Sequence, residues 1–242
     1  MGSVSANSGA GGTEAAKTST PKRYRPHTYG RPSAATSREH RMTEKPAWLK
    51  PHGKPWGVSS SQVVYDNPWI TLTEYQAIAP TGRPALYGKV GFKNQAIGVV
   101  PLHADGTVTL VGQNRFSLAN YSWELPEGGA PMGEDPLDGA KRELAEEVGL
   151  QAADWRQILR MELSNSVTDE ICHGFLAMDL SPTEGEPDET EDFAVARVPF
   201  REALEAAVAG HMPDAITVAL LLRTHHMAVR GELPADLAAL IV

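Results

Sequence analysis

The stretch from Gly128 to Leu150, GGAPMGEDPLDGAKRELAEEVGL, constrains this chain more than any other. It reads as a loop followed by one helix. Asp135-Pro136 has the form of an N-cap with proline at the first helical position, and Asp138 follows three residues after the cap. Leu137, Ala140, Leu144 and Val148 recur at helical spacing, so one face should be buried. Gly149 is placed for a left-handed C-terminal stop. Glu143, Glu146 and Glu147 sit at i, i+3 and i+4 on a shared face, in the last turns, where the helix dipole is already negative. Like charges at that spacing cost roughly 0.2–0.5 kcal/mol per pair. Lys141 and Arg142 offset part of that cost. A hard divalent cation would offset more, because Mg²⁺ and Mn²⁺ prefer carboxylate oxygen. A solvated acidic face is the other reading of the same pattern.

The full spacing separates the two. Gly128, five residues, Glu134, seven residues, Arg142-Glu143-Leu144, one residue, Glu146-Glu147, one residue, Gly149-Leu150 matches the Nudix box at every fixed position. The chain therefore resembles a Nudix hydrolase. The resemblance implies an α/β/α sandwich around a mixed sheet. It also implies cleavage of a nucleoside diphosphate linked to another group, with two or more Mg²⁺ or Mn²⁺ ions. By position, Glu143, Glu146 and Glu147 would be metal ligands, with Glu146 also a candidate for catalysis. Arg142 would orient the glutamates, and the backbone carbonyl of Glu127 would be a further ligand. Glu134 would return to the cluster, and Gly128 and Gly149 would frame it.

Charge narrows the partners. Residues 1–41 hold seven Lys/Arg and two Glu, whereas the remainder holds 15 basic and 28 acidic residues. A domain that acidic is a poor general binder of nucleic-acid backbone and suits a small phosphorylated substrate whose charge a metal offsets. No apolar run approaches the ~20 residues of a membrane span, so no membrane partner is expected. One cysteine, Cys172, excludes an internal disulfide framework; a reducing, cytoplasmic setting fits, with Cys172 a buried thiol in a strand.

Three regions are expected. Residues 1–45 are rich in Ser, Thr, Gly, Ala and Pro, without hydrophobic periodicity, and read as a disordered basic tail. The tail lacks the apolar core of a secretory signal; it has the composition of an organelle transit peptide, or is an extension upstream of a start at Met42. Residues 46–102 read as an added β-region, with strands at 62–65, 69–75, 85–90 and 96–102. Residues 103–242 read as the core, with strands at 107–113, 155–161, 170–180 and 193–198, helices at 199–209 and 214–230, and a short helix near the end.

The flanks resemble the ADP-ribose pyrophosphatase branch of the family. Gln113-Asn114-Arg115 and Trp123-Glu124-Leu125-Pro126-Glu127-Gly128-Gly129 carry that likeness. It implies that the N-terminal strands build a homodimer and help bind the base, with Trp69, Tyr75 and Tyr87 as stacking candidates; packing is the other role for aromatics in strands. Arg115 has the chemistry to grip phosphate oxygens in pairs. Glu124 is assigned either to the ribose or a metal-associated water, or to a structural hydrogen bond. Glu170 ends the loop Ser164–Asp169, which lacks the Ser-Pro-Gly of that branch, and is a substrate or metal contact candidate. The acidic loop 181–192 is placed to supply a catalytic carboxylate by resemblance, Glu191 or Glu189, because box acids occupied by metal leave the proton of water to another base. The same chemistry on another nucleotide sugar, a dinucleotide or NADH, and a domain that senses rather than cleaves, are the alternatives.

Overall fold

A computed structural model describes residues 45–185 and 192–242. The tail read as disordered therefore lies almost wholly outside the described residues, as do Glu189 and Glu191. The N-terminal region forms a meander: β1 (Gly57–Asp66), β2 (Ile70–Ile78) and β3 (Pro84–Phe92), all antiparallel. The turn between β1 and β2 is closed by Asn67, whose side-chain oxygen accepts from the amides of Trp69 and Ile70 at 2.9 and 2.7 Å.

The core sheet has the order β7-β4-β9-β8, from β4 (Asn94–Pro101), β7 (Glu127–Pro131), β8 (Leu150–Glu162) and β9 (Ile171–Pro182). It is mixed: β4 and β9 run parallel, and the other two pairings are antiparallel. A second sheet, β10-β5-β6, is built from β5 (Thr107–Arg115), β6 (Asn120–Glu124) and β10 (Ala194–Pro199). Helix α1 (Pro136–Val148) covers one face of the core sheet. Its Ala140 and Leu144 are fully buried with Ile97, Val99 and Phe175. The opposite face carries α3 (Ala215–Val229), with α2 (Phe200–Val208) and α4 (Ala235–Ile241) beside it; Leu220 of α3 and Phe200 of α2 are buried in one cluster with Val100 and Leu176 of the sheet. Strand alternation produces the two layers: Cys172, Leu176 and Met178 point to the α3 side, whereas Phe175 and Ala177 point to the α1 side. This is the expected α/β/α sandwich with a mixed sheet and an added N-terminal β-region.

Several boundaries differ from the sequence reading. The stretch opening at Gly128, read as loop, is strand β7, held by pairing with β4 rather than by its own propensity. Strand β8 starts at Leu150, directly after the helix stop, five residues before the expected strand. β4 is the second strand of the core sheet, and so we place the junction between the N-terminal meander and the core near Lys93 rather than at residue 102.

The meander is tied to the core through the loop between β8 and β9. Asp169 accepts from the amide of Phe92 at 2.9 Å and pairs with Lys89 at 2.6 Å, and the amide of Val90 donates to the carbonyl of Val167. The Tyr87 hydroxyl donates to the carbonyl of Ser166. The loop that departs from the ADP-ribose pattern is thus a brace for the added strands.

Candidate active site

The site is built where α1 crosses β7. Asp135 caps the helix, its side chain accepting from the Leu137 amide at 2.9 Å, and Gly149 ends it at φ 64°. Both ends are as the residue chemistry implied. Between them, Glu143 and Glu147 face the strand and are only 8% and 7% exposed. Acidic side chains so buried need partners. The amide of Gly129 donates to Glu143 at 3.2 Å, and the amide of Glu127 donates to Glu147 at 2.9 Å.

Gly128 makes this approach possible. A Cβ at that position would lie 2.1 Å from the Glu143 carboxyl carbon, so any side chain would fill the cradle. Arg142 binds the cluster together. Its guanidinium donates to Glu143 at 2.8 Å, to Glu146 at 3.2 Å and to the carbonyl of Gly129 at 2.8 Å, with Glu134 at 3.6 Å. Lys141, expected to share that work, turns to Asp138 at 3.1 Å; at i, i+3 the pair faces solvent, away from the box acids. Burial raises the Glu143 pKa; Arg142 opposes that shift and Glu146 adds to it.

The ligands expected from the box, three carboxylates and one peptide carbonyl, are all oxygen donors, the chemistry that suits Mg²⁺ or Mn²⁺. Together with the Gly128 cradle, this set fits a hard divalent cation. Among the described residues no three acidic, His or Cys side chains already converge on one point; Glu143 and Glu147 rest on strand amides instead.

The flanking candidates fall in two groups. Arg115 and Glu124 are brought together: the Arg115 Nε donates to both carboxylate oxygens at 3.1 and 2.9 Å, and its Nη2 donates as well. Glu124 is 2% exposed, so its structural partner is this guanidinium rather than backbone. Burial works against the Arg115 charge, but Glu124, then Glu127 and Asp214, more than offset it, so the guanidinium is held protonated more firmly than usual. Glu170 is half-buried, and burial, with Asp169 beside it, raises its pKa. Cys172 is buried, and burial followed by the charge of Glu127 and Glu170 pushes its thiol pKa up; it is the inert thiol expected.

The aromatic candidates are carried by the N-terminal meander and the turn that enters its second strand. Trp69 is 67% exposed in the turn just before β2. Tyr75 and Tyr87 face each other across β2 and β3, and Tyr87 packs edge-on against Trp56 with ring centres 5.4 Å apart. The acidic loop leaves β9 beside the end of α1, where the Thr183 amide donates to the Gly149 carbonyl at 2.9 Å.

Two residues escaped sequence reading. Thr217 is fully buried in α3, where its hydroxyl donates to Glu127 at 2.9 Å and accepts from the Leu125 amide at 2.9 Å. Asp214 caps α3 through the Thr217 amide at 2.8 Å and is a charged neighbour of the Glu127 carboxyl. Glu127 itself is held well above the usual carboxylate range, first by burial and then by the neighbouring Asp214. The available signal was a threonine on the apolar face of Ile216, Leu220 and Leu221, one of two threonines in α3.

A NUDIX domain model matches residues 93–218. The ADP-ribose pyrophosphatase of Mycobacterium tuberculosis (strain ATCC 25618 / H37Rv) is 32% identical over 134 residues, covering 54% of this chain and 64% of the relative. That of Bacillus subtilis (strain 168) is 36% identical over 124 residues, covering 50% of this chain and 67% of the relative. The chain thus spans about two thirds of the length of these two curated relatives. Among solved structures, an ADP compounds hydrolase superposes with a TM-score of 0.68 at 20% identity, covering 76% of this chain and 100% of that one, which shows a shared fold. With a family model matched over more than half of its length, and with every fixed position of the box in place from β7 through α1 to the first residue of β8, the chain belongs to the NUDIX domain family.

Proposed function

We propose that this protein is a metal-dependent pyrophosphatase that hydrolyses ADP-ribose or a related nucleoside diphosphate sugar to a nucleoside monophosphate and a sugar phosphate. The observation that carries the reading is the box itself: Glu143 and Glu147 buried against β7 and Arg142 clamping Glu143, Glu146 and Gly129. The similarity to two ADP-ribose pyrophosphatases supports the substrate class. A domain that only senses nucleotides has no need of this full acid set, which favours turnover.

Glu143, Glu146, Glu147 and the Glu127 carbonyl would hold Mg²⁺ or Mn²⁺. When bound, such ions neutralise the diphosphate and acidify water. Arg142 keeps the acids at fixed spacing, which limits the reorganisation needed during reaction. A carboxylate of the acidic loop, Glu191 or Glu189, takes the proton of the attacking water. The new P–O bond forms at one phosphorus, and the bridging oxygen leaves with the other phosphate. Arg115 is the phosphate-binding candidate and shares its charge with Glu124; Glu170 lies on the loop beside the brace. The exposed β1–β3 meander is the proposed homodimer surface, and Trp69 is the proposed base contact.

The test is product analysis with Mg²⁺ against ADP-ribose, GDP-mannose, UDP-glucose, NADH and a diadenosine polyphosphate. Release of AMP from ADP-ribose, faster than cleavage of the others, is expected. Preference for another member would replace the substrate and keep the chemistry. Tight binding of ADP-ribose without any cleavage would replace the enzyme with a sensor.

A further inference from the structure

Glu127 opens β7 and serves two faces of the sheet at once. Its amide donates to Glu147 at 2.9 Å on the α1 side. Its side chain passes to the α3 side, as alternation along a strand requires, and meets the Thr217 hydroxyl at 2.9 Å. The same hydroxyl accepts from the Leu125 amide at 2.9 Å. One buried oxygen thus holds both ends of the tripeptide Leu125-Pro126-Glu127.

Leu125 is packed in the core and Glu127 pairs with Gly98, but the turn between the strands has few backbone hydrogen bonds of its own. β6 ends at Glu124 and β7 begins at Glu127, so Leu125 and Pro126 lie between strands. The Pro126 carbonyl accepts from Val99, and proline has no amide to give. The position of Thr217 is itself narrowly set. Asp214 caps the helix through the Thr217 amide at 2.8 Å. Close seating of α3 depends on Gly98, where a Cβ would fall 2.5 Å from Ile216 and 2.9 Å from Leu220. Gly98 is the register partner of Glu127.

We propose that Thr217 is a positioning residue for the box: from the far face of the sheet it fixes the Leu125–Glu127 backbone, so that the Glu127 amide meets Glu147 and the Glu127 carbonyl is held for the divalent cation it would help to bind. The inference rests on the proposed metal dependence. It adds a polar clamp, supplied by a helix that carries no box residue, acting through the strand. A hydroxyl is required because the position must donate to a carboxyl and accept from an amide at once. Serine meets that requirement; valine and alanine do not.

The test uses the full chain as wild type, Thr217→Ser, Thr217→Val and Thr217→Ala. Binding of Mn²⁺ alone, without nucleotide, is read by electron paramagnetic resonance of the free ion. Exchange of the Leu125 and Glu127 amides is read by hydrogen–deuterium exchange. Loss of the hydroxyl should weaken Mn²⁺ binding about 10-fold, the range seen for partners that orient metal ligands, with Thr217→Ser within about twofold of wild type. The Leu125 and Glu127 amides should exchange faster in the valine and alanine proteins while α1 keeps its protection. Folded valine and alanine proteins that bind Mn²⁺ as wild type does would overturn the proposal and leave the metal reading standing. Wild type that fails to bind Mn²⁺ would overturn both.

Discussion

At the scale of single residues, the site depends on backbone access as much as on charge. Gly128 is the clearest case, because a methyl group there would collide with the Glu143 carboxyl. Gly128→Ala should push that carboxylate off the Gly129 amide, lower stability by about 1–3 kcal/mol as overpacking does, and lower activity with it; urea unfolding and initial rates check the two effects. Glu127 gives a pH signature. Its folded pKa is raised above the ordinary 4.5, so the native state binds more protons than the unfolded chain. The stability that this carboxyl contributes is complete below pH 4.5 and is lost as pH rises toward the folded value. Glu127→Gln removes that dependence, and its urea midpoint should gain on wild type as pH increases from 4.5. An unchanged difference across that range would contradict the raised Glu127 pKa. Residues of this kind were only partly legible. The box acids announced themselves by spacing. Thr217 did not, because its importance lies in a contact across the sheet, 90 residues from Glu127 in sequence.

At the scale of elements, local chemistry marked helices better than strands. α1 begins and ends where Asp135 and Gly149 said it would, since capping is decided within four residues. Asp135→Ala should cost about 1 kcal/mol. For a chain of this size that is a fall of about 2–4 °C in Tm, measurable by calorimetry. β7 was invisible because Glu-Gly-Gly-Ala-Pro has no β-branched or aromatic residue. It is a strand only because β4 pairs with it from Asn94 to Gly98. β6 was missed for a related reason: Asn120–Glu124 is short and gains its order from β5. The loop Ser164–Asp169 drew notice in sequence for lacking the family's Ser-Pro-Gly and for ending at Glu170, a substrate or metal contact candidate; its visible contacts brace β3 through Asp169.

At the scale of the whole molecule, the β1–β3 meander stands outside the two core layers. β1 is an edge strand exposed from Ser59 to Asp66, with Val63, Val64 and Tyr65 all about half exposed. Exposed apolar edges invite a partner. If the meander is the homodimer surface, Val63→Asp combined with Tyr65→Asp should shift sedimentation equilibrium to the monomer without unfolding the core. Wild type that is already monomeric would remove that assignment while leaving the chemistry untouched. The central claim concerns the chemistry: α1 and β7 present Arg142, Glu143, Glu146 and Glu147 as a working pyrophosphatase centre. The most direct measurement compares wild type with Glu147→Gln for AMP release from ADP-ribose in Mg²⁺, with circular dichroism confirming that both are folded. The account expects steady AMP and ribose 5-phosphate formation by wild type and a loss on the order of 100-fold in the variant, the scale of removing a group that supports transition-state charge. Equal rates from two folded proteins would contradict it.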